Sequence, residues 1–139
     1  MDLDLTPSAR AHGGQRIIAA TVLVIEAFVV FFAALVAHQL VPEDRVITWV
    51  WSLTTVLALL ACSGLLRRGG ARPYWAGLVL QLPVILLGLQ LGVMWVVGIA
   101  FAALYTYGTF TGHRLDAEKD AVDAQVWAAR AREEDDGTA

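Results

Sequence analysis

One acid stands inside the apolar part of this 139-residue chain: Glu26, within the run Ile17 to Leu40. A carboxyl there can exchange a proton, bind a cation, or tie helices together by hydrogen bonds. Depth and neighbours decide among these roles. Counted at 1.5 Å per residue, Glu26 lies about 14 Å from the start of its helix, too deep for a short side chain to reach water easily. Placing a charge at that depth costs roughly 2.5 to 3.5 kcal/mol on insertion scales, so a partner or a function has to offset it. Counted from the same side of the membrane, Gln81 lies at about 10 Å, Tyr105 at about 9 Å and Thr55 at about 16 Å. With Glu26 they make a candidate proton or ion site. No basic residue reaches that depth, so an ion pair is excluded and a neutral, hydrogen-bonded carboxyl is favoured. The residues leave two readings open: a proton-binding or cation-binding site, or a protonated glutamate serving as interhelical glue.

Other chemistry is thinly represented. The histidines His12, His38 and His113 are scattered over both sides, and no Ser/His or Cys/His pair and no paired acids near an interface could share a site. Cys62 is the sole cysteine, so neither an intramolecular disulfide nor a cysteine-based metal site can form. His38, beside Gln39 at the end of its helix, reads as a wet interfacial residue. No enzyme activity, metal or cofactor is expected.

The elements that position Glu26 follow from hydropathy. Hydrophobic residues make up 58% of the chain and charged residues 17%, an apolar excess that needs a bilayer as solvent. A bilayer core of about 30 Å takes roughly 20 helical residues. Two runs have that length: residues 17–40, ended by Pro42, Glu43, Asp44 and Arg45, and residues 46–66, ended by Arg67, Arg68, Gly69 and Gly70. The stretch from Tyr74 to Thr111 would measure on the order of 55 Å as one helix, so it must fold back. Gly88, Gln90 and Gly92 place the hinge at 89–92 and give spans over 74–90 and 93–111. The expected fold is an all-α, compact bundle of four transmembrane helices.

Charge sets the orientation. Arg10, Arg16, Arg67, Arg68, Arg72, Arg114, Lys119, Arg130 and Arg132 share one side if the chain crosses four times, and Arg45 alone lies opposite. Bases in short flanking segments stay in the cytoplasm, which predicts a plasma-membrane protein with both termini inside. The first span is too long for the apolar region of a signal peptide and ends in His38-Gln39-Leu40, with no small-residue cleavage site, so it is expected to be retained. No basic stripe suggests nucleic acid as a partner.

Spans in lipid associate through small residues and interhelical hydrogen bonds. The spacing offers Ala19, Glu26, Ala33 and Ala37 on the first span; Thr54, Ala58 and Cys62 on the second; Gly77, Gln81 and Gly88 on the third; and Gly98, Ala102 and Thr106 on the fourth. Pro83 should kink the third span, with Gln81 or a neighbouring helix reaching a freed carbonyl. Trp49, Trp51, Tyr74, Trp75 and Tyr107 read as anchors in the interfacial aromatic belt. Residues 113–139 form a cytoplasmic tail, with Leu115, Val122, Val126 and Ala129 on one side of an amphipathic helix. The Glu133 to Asp136 run and the first fifteen residues read as disordered.

Three features together resemble a known family: Glu26 followed by Phe28 and Phe31-Phe32-Ala33-Ala34-Leu35, the opening Tyr74-Trp75-Ala76-Gly77 with Gln81, and the four-span layout. Over residues 16–115 the chain resembles the small actinobacterial membrane proteins grouped as domain of unknown function 4233. The resemblance implies the four-span fold and brings no activity and no catalytic residue with it.

Two functional classes fit. The first is a non-catalytic accessory or scaffold subunit, using the tail as a recognition surface toward a second copy or another membrane protein. The second is a small proton-coupled transporter or channel subunit using Glu26, since four spans with one glutamate in the first is also the plan of small multidrug antiporters. Their first-span motif differs, and the strong charge bias here argues against an inverted dimer.

Overall fold

The computed structural model describes residues 5–8, 13–40, 43 and 45–137. Arg10, His12, Pro42 and Asp44 lie outside them. Four helices make up the fold: α1 (Gly14–Leu40), α2 (Arg45–Leu65), α3 (Arg72–Leu86) and α4 (Val93–Gly137). Taken with the 3-10 turns at Leu66–Arg68 and Leu87–Leu89 that extend α2 and α3, all four are long and apolar enough to cross a bilayer, and no strand occurs among the described residues. They form a compact helical bundle.

The connections follow from local chemistry. α2 tightens into a 3-10 turn at Leu66–Arg68 and stops at Gly69 and Gly70, whose φ values of 81° and 87° favour glycine. Pro73 then sits in the first turn of α3, where a missing N–H costs nothing. At the other end α3 passes through a 3-10 turn at Leu87–Leu89 and reverses over residues 90–92. A Cβ on Gly88 would lie 2.5 Å from the Trp95 ring, so glycine lets α4 fold close against the turn.

In cross-section the helices run in a ring. α1 packs on α2 and α4, α3 packs on the same two, and α1 and α3 face each other diagonally with little direct contact. Small residues set the closeness of α4. Gly98 lies against the Ile85 backbone, where an added Cβ would approach Cα to 2.8 Å, and Gly112 lies against the backbone of Gln15 at 2.6 Å. The outward surface carries Ile25, Phe28, Phe32, Leu57, Val79 and Val96, each at least half exposed, as suits lipid contact.

Four expectations need correction. The inward face of α2 is Thr48, Ser52, Thr55, Leu59 and Cys62, with Thr54 exposed and Ala58 only half-buried; steps of four and three hold one face, whereas steps of four alone drift off it. Tyr74 is fully buried and is no belt residue, while Trp51, Trp75 and Tyr107 are exposed. Leu5, one of the described N-terminal residues, is buried and its carbonyl accepts a hydrogen bond from Gln15 Nε2 at 3.3 Å, so it is packed against the bundle. Finally, α4 continues through the acidic run to Gly137, so residues 133–136 are helical.

Candidate functional site

Glu26 faces the centre of the bundle and is fully buried. Gln81, 3% exposed, reaches it from α3, and its Nε2 donates to Glu26 Oε2 at 2.9 Å. Glu26 Oε1 and Gln81 Oε1 have no hydrogen-bond partner among the described residues. A neutral carboxyl retains one donor, so the pair can accept an amide proton on one oxygen and offer a hydroxyl from the other.

The other two expected members are buried but point their protons elsewhere. Tyr105 donates to the carbonyl of Tyr74 at 3.2 Å, with its ring lying on Gly77, where any side chain would collide with the phenol. Thr55 donates to the carbonyl of Trp51 at 2.8 Å, one turn back on its own helix. Gln81 likewise does not serve the backbone near Pro83. The carbonyl of Pro83 itself, which also accepts the Leu87 N–H, receives Trp51 Nε1 at 3.1 Å, a rung between α2 and α3.

At the end of α1 opposite its start, His38 Nδ1 accepts the Trp49 indole N–H at 3.1 Å, and Arg45 Nε donates to the His38 carbonyl at 3.1 Å. These bonds close the α1–α2 connection. Cys62 donates to the carbonyl of Pro73 at 3.2 Å, joining α2 to the start of α3. Among the described residues, no three His, Cys, Asp or Glu side chains cluster so as to hold a metal.

A second polar centre lies at the start of α1. Asp116 of α4 is 3% exposed, and its Oδ1 and Oδ2 accept the backbone N–H groups of Gly14 and Gln15 at 2.8 and 2.9 Å. A carboxylate at a helix N-terminus satisfies two otherwise orphaned donors and complements the helix dipole. Arg16 and Asp116 are also the charged neighbours of the buried Tyr74. Sequence reasoning passed over Asp116 as part of the tail. One signal was present: α1 opens with Gly13-Gly14-Gln15-Arg16 and has no Ser, Thr, Asp or Asn of its own at the cap, so its first N–H groups had to find an acceptor from elsewhere.

Beyond Asp116, α4 leaves the bundle. Every residue from Ala121 to Glu134 is exposed, including Val122, Val126 and Trp127, and the Leu115 side of the helix touches no neighbour closely enough to be covered. Arg114 pairs with Glu118 at 3.0 Å, and the Arg130 guanidinium lies 5.5 Å from the Trp127 ring centroid.

No curated protein and no solved structure matches the chain. The family described as "Protein of unknown function (DUF4233)" matches residues 16–121, which include Glu26, Gln81 and Asp116 and begin just after Gly14 and Gln15. The chain therefore belongs to the DUF4233 family.

Proposed function

We propose that this multi-pass membrane protein is a non-catalytic accessory or scaffold subunit of the plasma membrane, with both termini in the cytoplasm, presenting the end of α4 to a second copy or to another membrane protein. The observation that carries this reading is the unbroken course of α4 over 45 residues, fixed to α1 by Asp116 and exposed on all sides from Ala121 to Glu134. A lone helix of that length in water gains little from propensity alone, and an exposed face with Val122, Val126 and Trp127 suits a partner helix. The clustering of basic residues at the end bearing Arg16, Arg67, Arg68, Arg72 and Arg114 supports the cytoplasmic placement.

The test removes residues 117–139, leaving Asp116 in place, and compares partners captured from native membranes with those of the full chain. Loss of a partner from a bundle that still folds supports the scaffold reading. An unchanged partner list argues against it. Labelling of a single cysteine placed at Gln125 from either side of sealed vesicles checks the orientation.

The Glu26–Gln81 pair favours a second reading, a small proton-coupled transporter or channel subunit. A buried carboxyl with one free oxygen, held by a neutral amide and not by a base, is equipped to exchange a proton. Under this reading Glu26→Gln abolishes proton-coupled flux while the folded protein stays in the membrane; normal flux in that variant sinks it.

A further inference from the structure

The inward face of α2 places three hydroxyls, on Thr48, Ser52 and Thr55, where apolar side chains would pack at less cost. Thr55 returns its proton to its own helix. Thr48 and Ser52 are each 1% exposed, yet Thr48 Oγ1 and Ser52 Oγ have no hydrogen-bond partner among the described residues. Gln90 Oε1, at the reversal between α3 and α4, is in the same condition. All three residues line one small cavity of about 10 Å³, walled by Ala33, Ala34, Ala37, Leu87, Leu91 and Met94.

Such a volume takes about one water, and a buried water ordinarily makes about three hydrogen bonds to groups that lack other partners. Two hydroxyls and one amide oxygen supply that number. A metal cation would need more oxygens and a compensating charge, and only neutral side chains face this cavity.

We propose that the cavity is a single-water site joining α2 to the α3–α4 turn, and that it is the access step by which Glu26 exchanges protons with the end of the bundle remote from Arg16. Along α2 the hydroxyls of Thr48, Ser52 and Thr55 are about 6 and 4.5 Å apart on the helix axis. One water with two hydrogen bonds of about 2.8 Å spans about 4.5 Å, enough for the step from Ser52 to Thr55, while Thr48 and Ser52 meet one water because both line the same cavity. The Trp51–Pro83 rung sets α2 against α3 so that Gln81, two residues before Pro83, sits near the level of Thr55. From there the free Gln81 Oε1 and Glu26 Oε1 continue the file. Toward Arg16 the way is closed by Tyr105 and Tyr74, both fully buried, the first having Glu26, Cys62 and Tyr74 as its titratable neighbours. The water site stands on its own, and the access step rests on the reading of Glu26 as a proton-exchanging group.

Deuterium exchange at the Glu26 carboxyl, followed by difference infrared spectroscopy of the full chain in liposomes with Glu26→Gln to assign the band, tests the access step. Thr48→Val with Ser52→Ala slows exchange by about tenfold, the scale of a lost hydrogen bond. The near-isosteric Thr48→Val alone slows it less and in the same direction, which guards against a double variant that fails to fold. Unchanged exchange in the folded Thr48→Val variant, or a carboxyl that never exchanges, overturns the access step. Magnetisation transfer from water to the Thr48 methyl group reports the bound water, and its absence overturns the site. Failure of the underlying reading is recognised separately, as proton flux that survives Glu26→Gln while the water signal persists.

Discussion

Glu26 and Gln81 meet across the diagonal of the bundle, 2.9 Å apart, although their helices α1 and α3 have little other contact. The bond therefore links two helices that are otherwise held by their common neighbours α2 and α4. In lipid, interhelical hydrogen bonds average about 0.6 kcal/mol of coupling and reach about 1.7 kcal/mol. A double-mutant cycle with Glu26→Leu and Gln81→Leu should return a value in that range, read from unfolding of the purified protein in mixed micelles. Gln81→Leu alone should be the worse single change, since it strands the carboxyl, and the double variant should recover part of the loss. Strict additivity of the two losses would show that the bond contributes nothing.

Asp116→Ala should cost about 1 to 2 kcal/mol, the range for removing a helix cap, and should speed hydrogen exchange at the Gly14 and Gln15 amides. Asp116→Asn should cost less, because a neutral amide oxygen still caps. Equal exchange rates in the wild-type and alanine proteins would mean that the clamp is not formed in the membrane.

Glycines at backbone contacts should be intolerant and those in open space should not. Gly98→Ala and Gly112→Ala each force backbone apart at 2.8 and 2.6 Å, and overpacking of this kind costs about 1 to 3 kcal/mol. Gly64, inside α2 with nothing within 4 Å of an added Cβ, is the control: Gly64→Ala should stabilise by up to about 1 kcal/mol through helix propensity. Thermal unfolding of the three variants gives the ranking, and a destabilised Gly64→Ala protein would contradict the packing described.

Removal of residues 121–139 should leave bundle stability within about 0.5 kcal/mol, since every residue from Ala121 to Glu134 is exposed. Cutting before Asp116 should not be neutral, because it takes away the cap on α1. The two truncations, compared by their unfolding midpoints, locate where the bundle ends.

Much of the fold was legible because a bilayer leaves few choices. Apolar length counts the helices, and glycines with Gln90 mark the reversal that a chain from Tyr74 to Thr111 has to make. Depth counting also put Gln81 near Glu26, since rise per residue is fixed in a helix. The same arithmetic could not tell which way Tyr105 and Thr55 would aim, as a hydroxyl is satisfied by any carbonyl in reach and both found one. Tyr74 looked like a belt residue because its place at a span end is the same whether it faces lipid or the interior. Asp116 was hidden for a different reason: its partners lie about 100 positions away in the chain, and no local periodicity records a contact between a tail and a first turn.

The continuity of α4 has a mechanical consequence. From Asp116 to Gly137 the helix extends about 30 Å past its attachment to α1, and a helix without Pro or a break bends little over that distance. A change of about 10° in the tilt of the span, of the size that a change in bilayer thickness evokes, moves the far tip by about 5 Å. The fourth helix is thus a lever with its pivot at Asp116, and a small change in the tilt of its span is magnified at the exposed tip.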